Sequence, residues 1–191
     1  PDSVASMGNF VFGECSSLSS ITIPDSVTNM GDYVFYACSS LKSAVIGHGL
    51  NNIGVWTFYS CNSLTSLVLG DGVTRIGDNA FYYCSGLTSI TIPDSVTEIG
   101  EGAFSYCESL TSITIPDGVT SIGQGVFNGC EQIPPILFST GKKILVRYSD
   151  TNVATEYSIP NTVTYIASSA FQFCDNLTSI TIPDGLTKIG N

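Results

Sequence analysis

Pro93–Ile115 reads PDSVTEIGEGAFSYCESLTSITI, and the rest of the chain is largely variation on it. Its phenylalanine returns every 23 residues, at Phe12, Phe35, Phe58, Phe81, Phe104 and Phe127, each followed three positions later by a cysteine. Self-similarity at a fixed period of about 20 to 50 residues marks a solenoid or array. The template is P-D-S-V-T-x-I-G-x-x-A-F-x-x-C-x-S-L-T-S-I-T-I. One such unit is too small to bury its own apolar face, whereas stacked units share a continuous core.

Each part of the template has a local reading. The run Leu110–Ile115 ends in alternation, Ile113 inward and Thr114 outward, which suits a short half-buried strand. Pro116-Asp117-Gly118 then forms a turn, proline fixing φ and glycine permitting φ > 0. Val119 and Ile122 return as a second apolar stretch, and Gly123 allows another tight bend. Ala103 and Phe104 are expected on a single turn of α- or 3₁₀-helix that plugs the interior, with Cys107 closing it. The predicted fold is a β-rich α/β-type repeat solenoid. Parallel strands about 4.8 Å apart form one continuous sheet on one face; short helical turns and a second short strand lie on the other. The phenylalanines, with Phe171, and the cysteine column form its structural core.

The register also maps the chain. Units begin at Pro1, Pro24, Gly47, Gly70, Pro93 and Pro116, so regular repeats fill residues 1–130. Gly47 and Gly70 replace proline and soften their turns, and Ala44 packs less apolar bulk inward than the usual isoleucine. Cys130 and Cys174 are 44 residues apart, two short of two periods, so an irregular coil occupies residues 131–159. Within it, Ile136-Leu-Phe138 and Ile144-Leu-Val-Arg-Tyr148 flank a glycine-containing connection and read as a hairpin. This coil lacks the A-F-x-x-C plug and carries Lys142, Lys143 and Arg147, three of the six basic residues. It is a shape-changing spacer or a binding protrusion. The polar segment Tyr148–Glu156 is expected to be the most mobile. Regular repeats resume over residues 160–191. The chain starts and stops mid-repeat, so one solenoid domain belonging to a longer protein is expected.

The string L-x-x-L/I-x-I-P-x-x-V-x-x-I-G-x-x-A-F-x-x-C resembles the BspA-type (treponemal-type) leucine-rich repeat and recurs seven or eight times over nearly all 191 residues. The resemblance implies a right-handed leucine-rich-repeat coil, in which hairpin-type repeats also interrupt arrays. It further implies a secreted or surface-displayed interaction and adhesion protein, extracellular or at the cell surface, with a protein or glycan of host or neighbouring cells as partner.

Composition agrees with a non-catalytic module. Only 12% of residues are charged, and the net charge is −10. An acidic balance without a Lys/Arg cluster argues against nucleic acid and anionic membrane surfaces. No run of about 18 apolar residues is present to span a bilayer.

The seven cysteines, Cys15, Cys38, Cys61, Cys84, Cys107, Cys130 and Cys174, share one template position and stack as a column. No C-x-x-C pair occurs and His48 is the single histidine, so no metal site or cofactor is expected. Two readings stand for the column: buried structural thiols, or one or more disulfides between neighbouring coils. Catalysis lacks a positioned base, because His48 sits at a turn as a solvated residue. Asp2, Asp25, Asp71, Asp94, Asp117 and Asp184 all follow the proline or glycine of a turn, where each bonds nearby backbone N–H groups. A weak cation site along this column is the alternative. Asn176-Leu-Thr178 matches an N-x-T sequon weakly.

Two surfaces remain. Ser20 and Thr22, Ser89 and Thr91, Ser112 and Thr114, and Ser179 and Thr181 form a neutral hydroxyl ladder, interrupted by Val45 and Val68. On the other side aromatic residues align: Phe10, Tyr33 and Trp56 in one column, Tyr36, Tyr59 and Tyr82 in a second, Tyr83 and Tyr106 in a third. Rings with a polar handle are enriched at binding hot spots. The plainer reading is that they shield the phenylalanine plugs; the sharper is a protein- or glycan-binding patch centred on Tyr33, Trp56 and Tyr59. Three functions follow: a surface interaction module, a targeting or spacer array beside a larger secreted enzyme, or an intracellular scaffold suited to reduced thiols.

Overall fold

In the computed structural model, which describes residues 3–149 and 155–190, the S-I-T-I runs form strands that pair in parallel with the run 23 residues on. Ser20 pairs with Ser43 and Ser43 with Ser66, then Ser89 with Ser112, and beyond the irregular coil Glu156 with Ser179. The chain is therefore a β-solenoid of the expected kind. The single continuous sheet instead comes in three segments. Strands Ser66–Val68 and Ser89–Thr91 lie side by side without ladder bonds, and the irregular coil makes the second break. The x-I-G runs form a second face, where Asn52–Ile53, Arg75–Ile76, Glu98–Ile99 and Ser121–Ile122 make one four-stranded ladder.

No helix or 3₁₀ segment occurs among the described residues; the expected helical turn is a run of six turn residues. The cause is backbone handedness. Each regular plug carries two left-handed residues four positions apart, such as Tyr33 (φ 59°) and Ala37 (φ 55°), and right-handed helix cannot pass through either. The N–H groups between are used differently. Tyr33, Phe35 and Ala37 donate to the carbonyls of Val55, Thr57 and Tyr59 in the next coil, and the same three bonds recur from coil to coil as far as Tyr106. Each coil thus contributes to three inter-coil ladders.

The turns are closed by backbone bonds, Val96 N–H to the Pro93 carbonyl at 3.0 Å and Val119 to Pro116 at 3.4 Å. Gly118 and Gly123 do not use φ > 0 as expected, since only Gly102, Gly125 and Gly129 have positive φ among the glycines. Glycine is needed in x-I-G because the preceding coil's backbone comes too close. A Cβ at Gly54 would lie 2.4 Å from the Gly31 carbonyl oxygen, and one at Gly123 2.4 Å from Glu101 N.

The interior is a column of stacked rings. Phe35, Phe58, Phe81 and Phe104 are wholly buried, with successive centroids 5.0 to 5.4 Å apart, close to strand spacing. Phe12 and Phe171 are only half-buried, Cys15 is exposed and Cys174 intermediate, because each lies in or near a coil with a described neighbour on one side only. Cys38, Cys61, Cys84, Cys107 and Cys130 are buried, and each Sγ–H donates to the carbonyl of the phenylalanine 26 residues earlier, at 3.0 to 3.2 Å. Burial pushes the Cys38 thiol up to about 11, and those of Cys61 and Cys84 further.

The irregular coil contains the expected hairpin. Ile136–Phe138 pairs antiparallel with Ile144–Tyr148, with a bulge between Leu137 and Phe138. The coil lacks the A-F-x-x-C motif, and Tyr148 takes the place of its phenylalanine. Its N–H donates to Ala170 O at 2.7 Å, and Cys174 Sγ lies 3.5 Å from its carbonyl, repeating the 26-residue offset. Its ring packs on Tyr157 and Phe171. On the second face, Tyr165 Oη accepts the Ile122 N–H at 3.1 Å across the break. Thr155–Ile159 rejoins the register; residues 150–154 of the segment expected to be mobile lie outside the described residues.

Phe81→Ala, which empties the middle of the ring column, is expected to lower the unfolding free energy by about 3–5 kcal/mol. Exposed Thr91→Ala is expected to change it by less than about 0.5 kcal/mol. Urea denaturation of the two variants measures the contrast.

Candidate functional site

The two left-handed columns decide what the outer side of the plugs presents. The first contains Phe10, Tyr33, Trp56, Asn79, Gly102, Gly125 and Ser169; the second contains Glu14, Ala37, Ser60, Tyr83, Tyr106, Gly129 and Phe173. Asparagine and glycine are the residues such positions favour, while a bulky side chain there is an outlier. Each non-glycine residue in this conformation costs roughly 1–2 kcal/mol. Phe10, Tyr33, Trp56, Tyr83, Tyr106 and Phe173 carry that strain with aromatic rings.

The structure brings the sequence-predicted aromatic residues together. Phe10 stacks on Tyr33 at 4.6 Å with 3° between ring planes, and Tyr36 on Tyr59 at 4.7 Å. Tyr59 stacks on Tyr82 at 5.8 Å, and Tyr83 on Tyr106 at 4.8 Å. Cross-contacts join the columns: Tyr33 to Tyr36, Trp56 edge-on to Tyr59 at 4.9 Å, and Tyr82 to Tyr83 at 5.0 Å. One ribbon of rings therefore runs diagonally from Phe10 to Tyr106 across five coils. Its members are half-buried or exposed, Phe10 by 52% and Tyr83 and Tyr106 by 37% each. Burial pushes the Tyr82 phenol up, assisted by the phenols of Tyr106, Tyr83 and Tyr59.

The opposite face is the flat hydroxyl ladder. Val45 (41% exposed) and Val68 (54%) stand side by side where threonine is usual. At their edge His48 is solvent-exposed, its Nδ1 2.5 Å from Asp71 Oδ1, while its N–H donates to Asp25 Oδ1 at 2.8 Å. The hydrogen bond to Asp71, then the charges of Asp71 and Asp25, raise the imidazole above its ordinary value. The turn aspartates thus differ from expectation: Asp25 caps the next coil rather than its own turn, and Asp117 takes Ser139 Oγ and the Gly141 N–H. Asp2 lies outside the described residues. A second acidic column escaped the sequence reading. Asn9, Asp32 and Asp78, just after the x-I-G glycine, accept the N–H groups of Asp32, Val55 and Glu101 one coil on. A polar residue recurring after that glycine was the available signal. Among the described residues no three His, Cys, Asp or Glu side chains gather to hold a metal ion.

The family model for the BspA type leucine-rich repeat region matches in six copies, over residues 1–108, 53–149 and 146–191. The chain belongs to this family. Solved structures of bacterial leucine-rich repeat proteins share the fold. A T. pallidum protein is 25% identical with a TM-score of 0.68, the alignment covering 97% of this chain and 77% of that one. A Bacteroides ovatus protein is 31% identical with a TM-score of 0.72, over 98% of this chain and 55% of its own. A leucine-rich cell surface protein of Faecalibacterium prausnitzii is 31% identical with a TM-score of 0.64, over 98% and 61%. This chain therefore spans little more than half the length of the last two. No protein with curated annotation matches it.

Ala37→Gly relieves a left-handed alanine without removing a ring, and is expected to stabilise the fold by about 0.5–1 kcal/mol in chemical denaturation. For His48 the folded pKa exceeds the unfolded value near 6.5, so its contribution is fully present below that pH and lost as pH rises through the folded value. An NMR titration of this single histidine is expected to show the raised value, and Asp71→Asn to lower it.

Proposed function

We propose that this chain is a non-catalytic, surface-displayed interaction module that holds a partner protein through the aromatic ribbon. The observation that carries the reading is the occupancy of left-handed positions by aromatic side chains. Asn79, Gly102 and Gly125 meet the same backbone requirement in the first column without a ring. A stacked pair adds about 0.5–1.5 kcal/mol, while each left-handed aromatic costs roughly 1–2 kcal/mol. Stability alone gains little from the exchange. Rings that fold the chain no better, yet form a continuous exposed ribbon, suit recognition.

The geometry favours a protein over a glycan. A ring stacked on neighbours at both faces, as Tyr59 is between Tyr36 and Tyr82, has mainly its edge left to present. A pyranose needs a free ring face, whereas protein side chains pack against edges. The likeness to a named cell surface protein supports display outside the cell, on host-facing or neighbour-facing surfaces. Tyr33, Tyr36, Trp56, Tyr59 and Tyr82, with Phe10 at the end, are the contact residues.

The test is an array of matrix proteins and glycans, probed with the wild type and with Trp56→Ala and Tyr59→Ala. A protein partner is expected whose affinity falls at least tenfold in both variants while their melting temperatures stay close to wild type. A partner bound equally well by both variants removes the ribbon from the site, and a hit confined to glycans overturns the choice of protein.

A further inference from the structure

The third ladder ends at a particular place. Gly102, Phe104 and Tyr106 donate their N–H groups to the carbonyls of Gln124, Val126 and Asn128. One coil later the equivalent donors, Gly125, Phe127 and Gly129, find no backbone or side-chain acceptor among the described residues. The following coil is the hairpin coil, and among its described residues Tyr148 continues the ladder, to Ala170. Between Gly125–Gly129 and Ser168–Phe173 there is a slot of about 380 Å³. Gly125, Asn128 and Gly129 of one coil, Arg147 of the hairpin coil, and Ser169 and Gln172 of the coil beyond all line it. That volume lies within the roughly 300–1,000 Å³ of small-ligand pockets. Gly125 is half-buried and Gly129 exposed.

Arg147 is the second observation. It is half-buried, and its guanidinium donates one bond, from Nη1 to Cys130 O at 2.8 Å. The two ion pairs among the described residues, His48–Asp71 and Arg75–Glu98, do not include it. Burial pushes its guanidinium down, and the groups acting the other way are the thiols of Cys130 and Cys174, not carboxylates. An arginine has five N–H donors in a planar fork, and a partly buried charge without an opposite charge is costly. In a chain of net charge −10, this cation has no ion pair among the described residues.

We propose that the slot binds a carboxylate carried on an extended peptide. The carboxylate takes the guanidinium fork of Arg147 in a charge-assisted pair. The peptide's carbonyls take the N–H row of Gly125, Phe127 and Gly129, so that it fills the interrupted ladder as an added strand does at a sheet edge. A free inorganic anion would use Arg147 but leave the row of donors unmet, which is why the structure favours a peptide. The site is independent of the aromatic ribbon, apart from Tyr106 at its rim.

The experiment is an NMR titration of the whole chain with four probes: acetyl-Ala-Glu-Ala-amide, acetyl-Ala-Ala-Ala with a free C-terminus, acetyl-Ala-Gln-Ala-amide and glucuronate. Saturable shifts of the amides of residues 125–129 are expected with at least one of the two carboxylate peptides, and which one responds separates side-chain from terminal recognition. The glutamine analogue is expected to bind at least tenfold more weakly. Arg147→Met is expected to lose the same factor and Arg147→Lys to keep part of the affinity. Ser169→Trp, which copies the residue found at the same template position in Trp56, closes the slot at unchanged charge and is expected to abolish binding. Trp56→Ala is expected to leave it intact, which separates this site from the ribbon. Absence of saturable shifts, equal affinity in wild type and a folded Arg147→Met, unaltered binding in Ser169→Trp, or glucuronate bound as tightly as either peptide would each overturn the proposal.

Discussion

The structure depends on one constraint: nearly every coil bonds to its neighbours at an offset fixed by the repeat. Backbone bonds in the two strand ladders follow that offset, as do many side-chain bonds. Thr74 Oγ1 donates to Asn51 O, Thr97 to Thr74, Thr111 to Thr88 and Thr187 to Thr164, each 23 residues back. The low charge of the chain follows from this geometry. A side chain that repeats at strand spacing faces a copy of itself about 4.8 Å away, and like charges directly opposite are destabilising. Threonine, which donates to the coil behind, avoids the repulsion and adds a bond. Two in-register positions carry opposite charges instead: Arg75 pairs with Glu98 and His48 with Asp71.

The same constraint explains the cysteine. Its position requires a small, apolar group that can be wholly buried and can offer a weak donor. The thiol meets both needs, pointing at a phenylalanine carbonyl in the preceding coil. That carbonyl already accepts a turn N–H, Cys38 N to Phe35 O for example, so the sulfur uses its second lone pair. The column therefore has a structural role in the fold through the carbonyls it touches.

What was legible in the sequence was whatever repeats. The 23-residue period placed the strands, the phenylalanine column and the aromatic columns, because each is a property of one residue type at one template position, while the hairpin was read from two β-prone runs around a glycine-containing connection. Backbone handedness was less visible. Phe10, Tyr33 and Trp56 give no hint of φ > 0, and only Asn79, Gly102 and Gly125 in the same column betray it. The x-I-G glycine was read as a bend, although its cause is the approach of another coil, which no local rule contains. Tyr148 escaped as a plug because the irregular coil lacks both the alanine before it and the cysteine after it. Its role appears only through Ala170 and Cys174 in the next coil.

A solenoid that repeated perfectly would present the same surface at every coil and could recognise only something equally periodic. Specific recognition requires the translation to be broken while the bonding between coils survives. This chain breaks it in two ways. Along the left-handed column, side-chain size falls from Trp56 to Asn79 to Gly102 while φ stays between 54° and 60°, so the outer surface varies at little cost to the array. At the hairpin coil the backbone itself departs, and Tyr165 and Tyr148 restore enough bonds to carry the register onward. They restore it on the second face and at the plug centre, but not along Gly125–Gly129. Among the described residues, the unmet donors and Arg147, which has no ion pair, fall at that one place because it is where nearest-neighbour bonding has run out of neighbour.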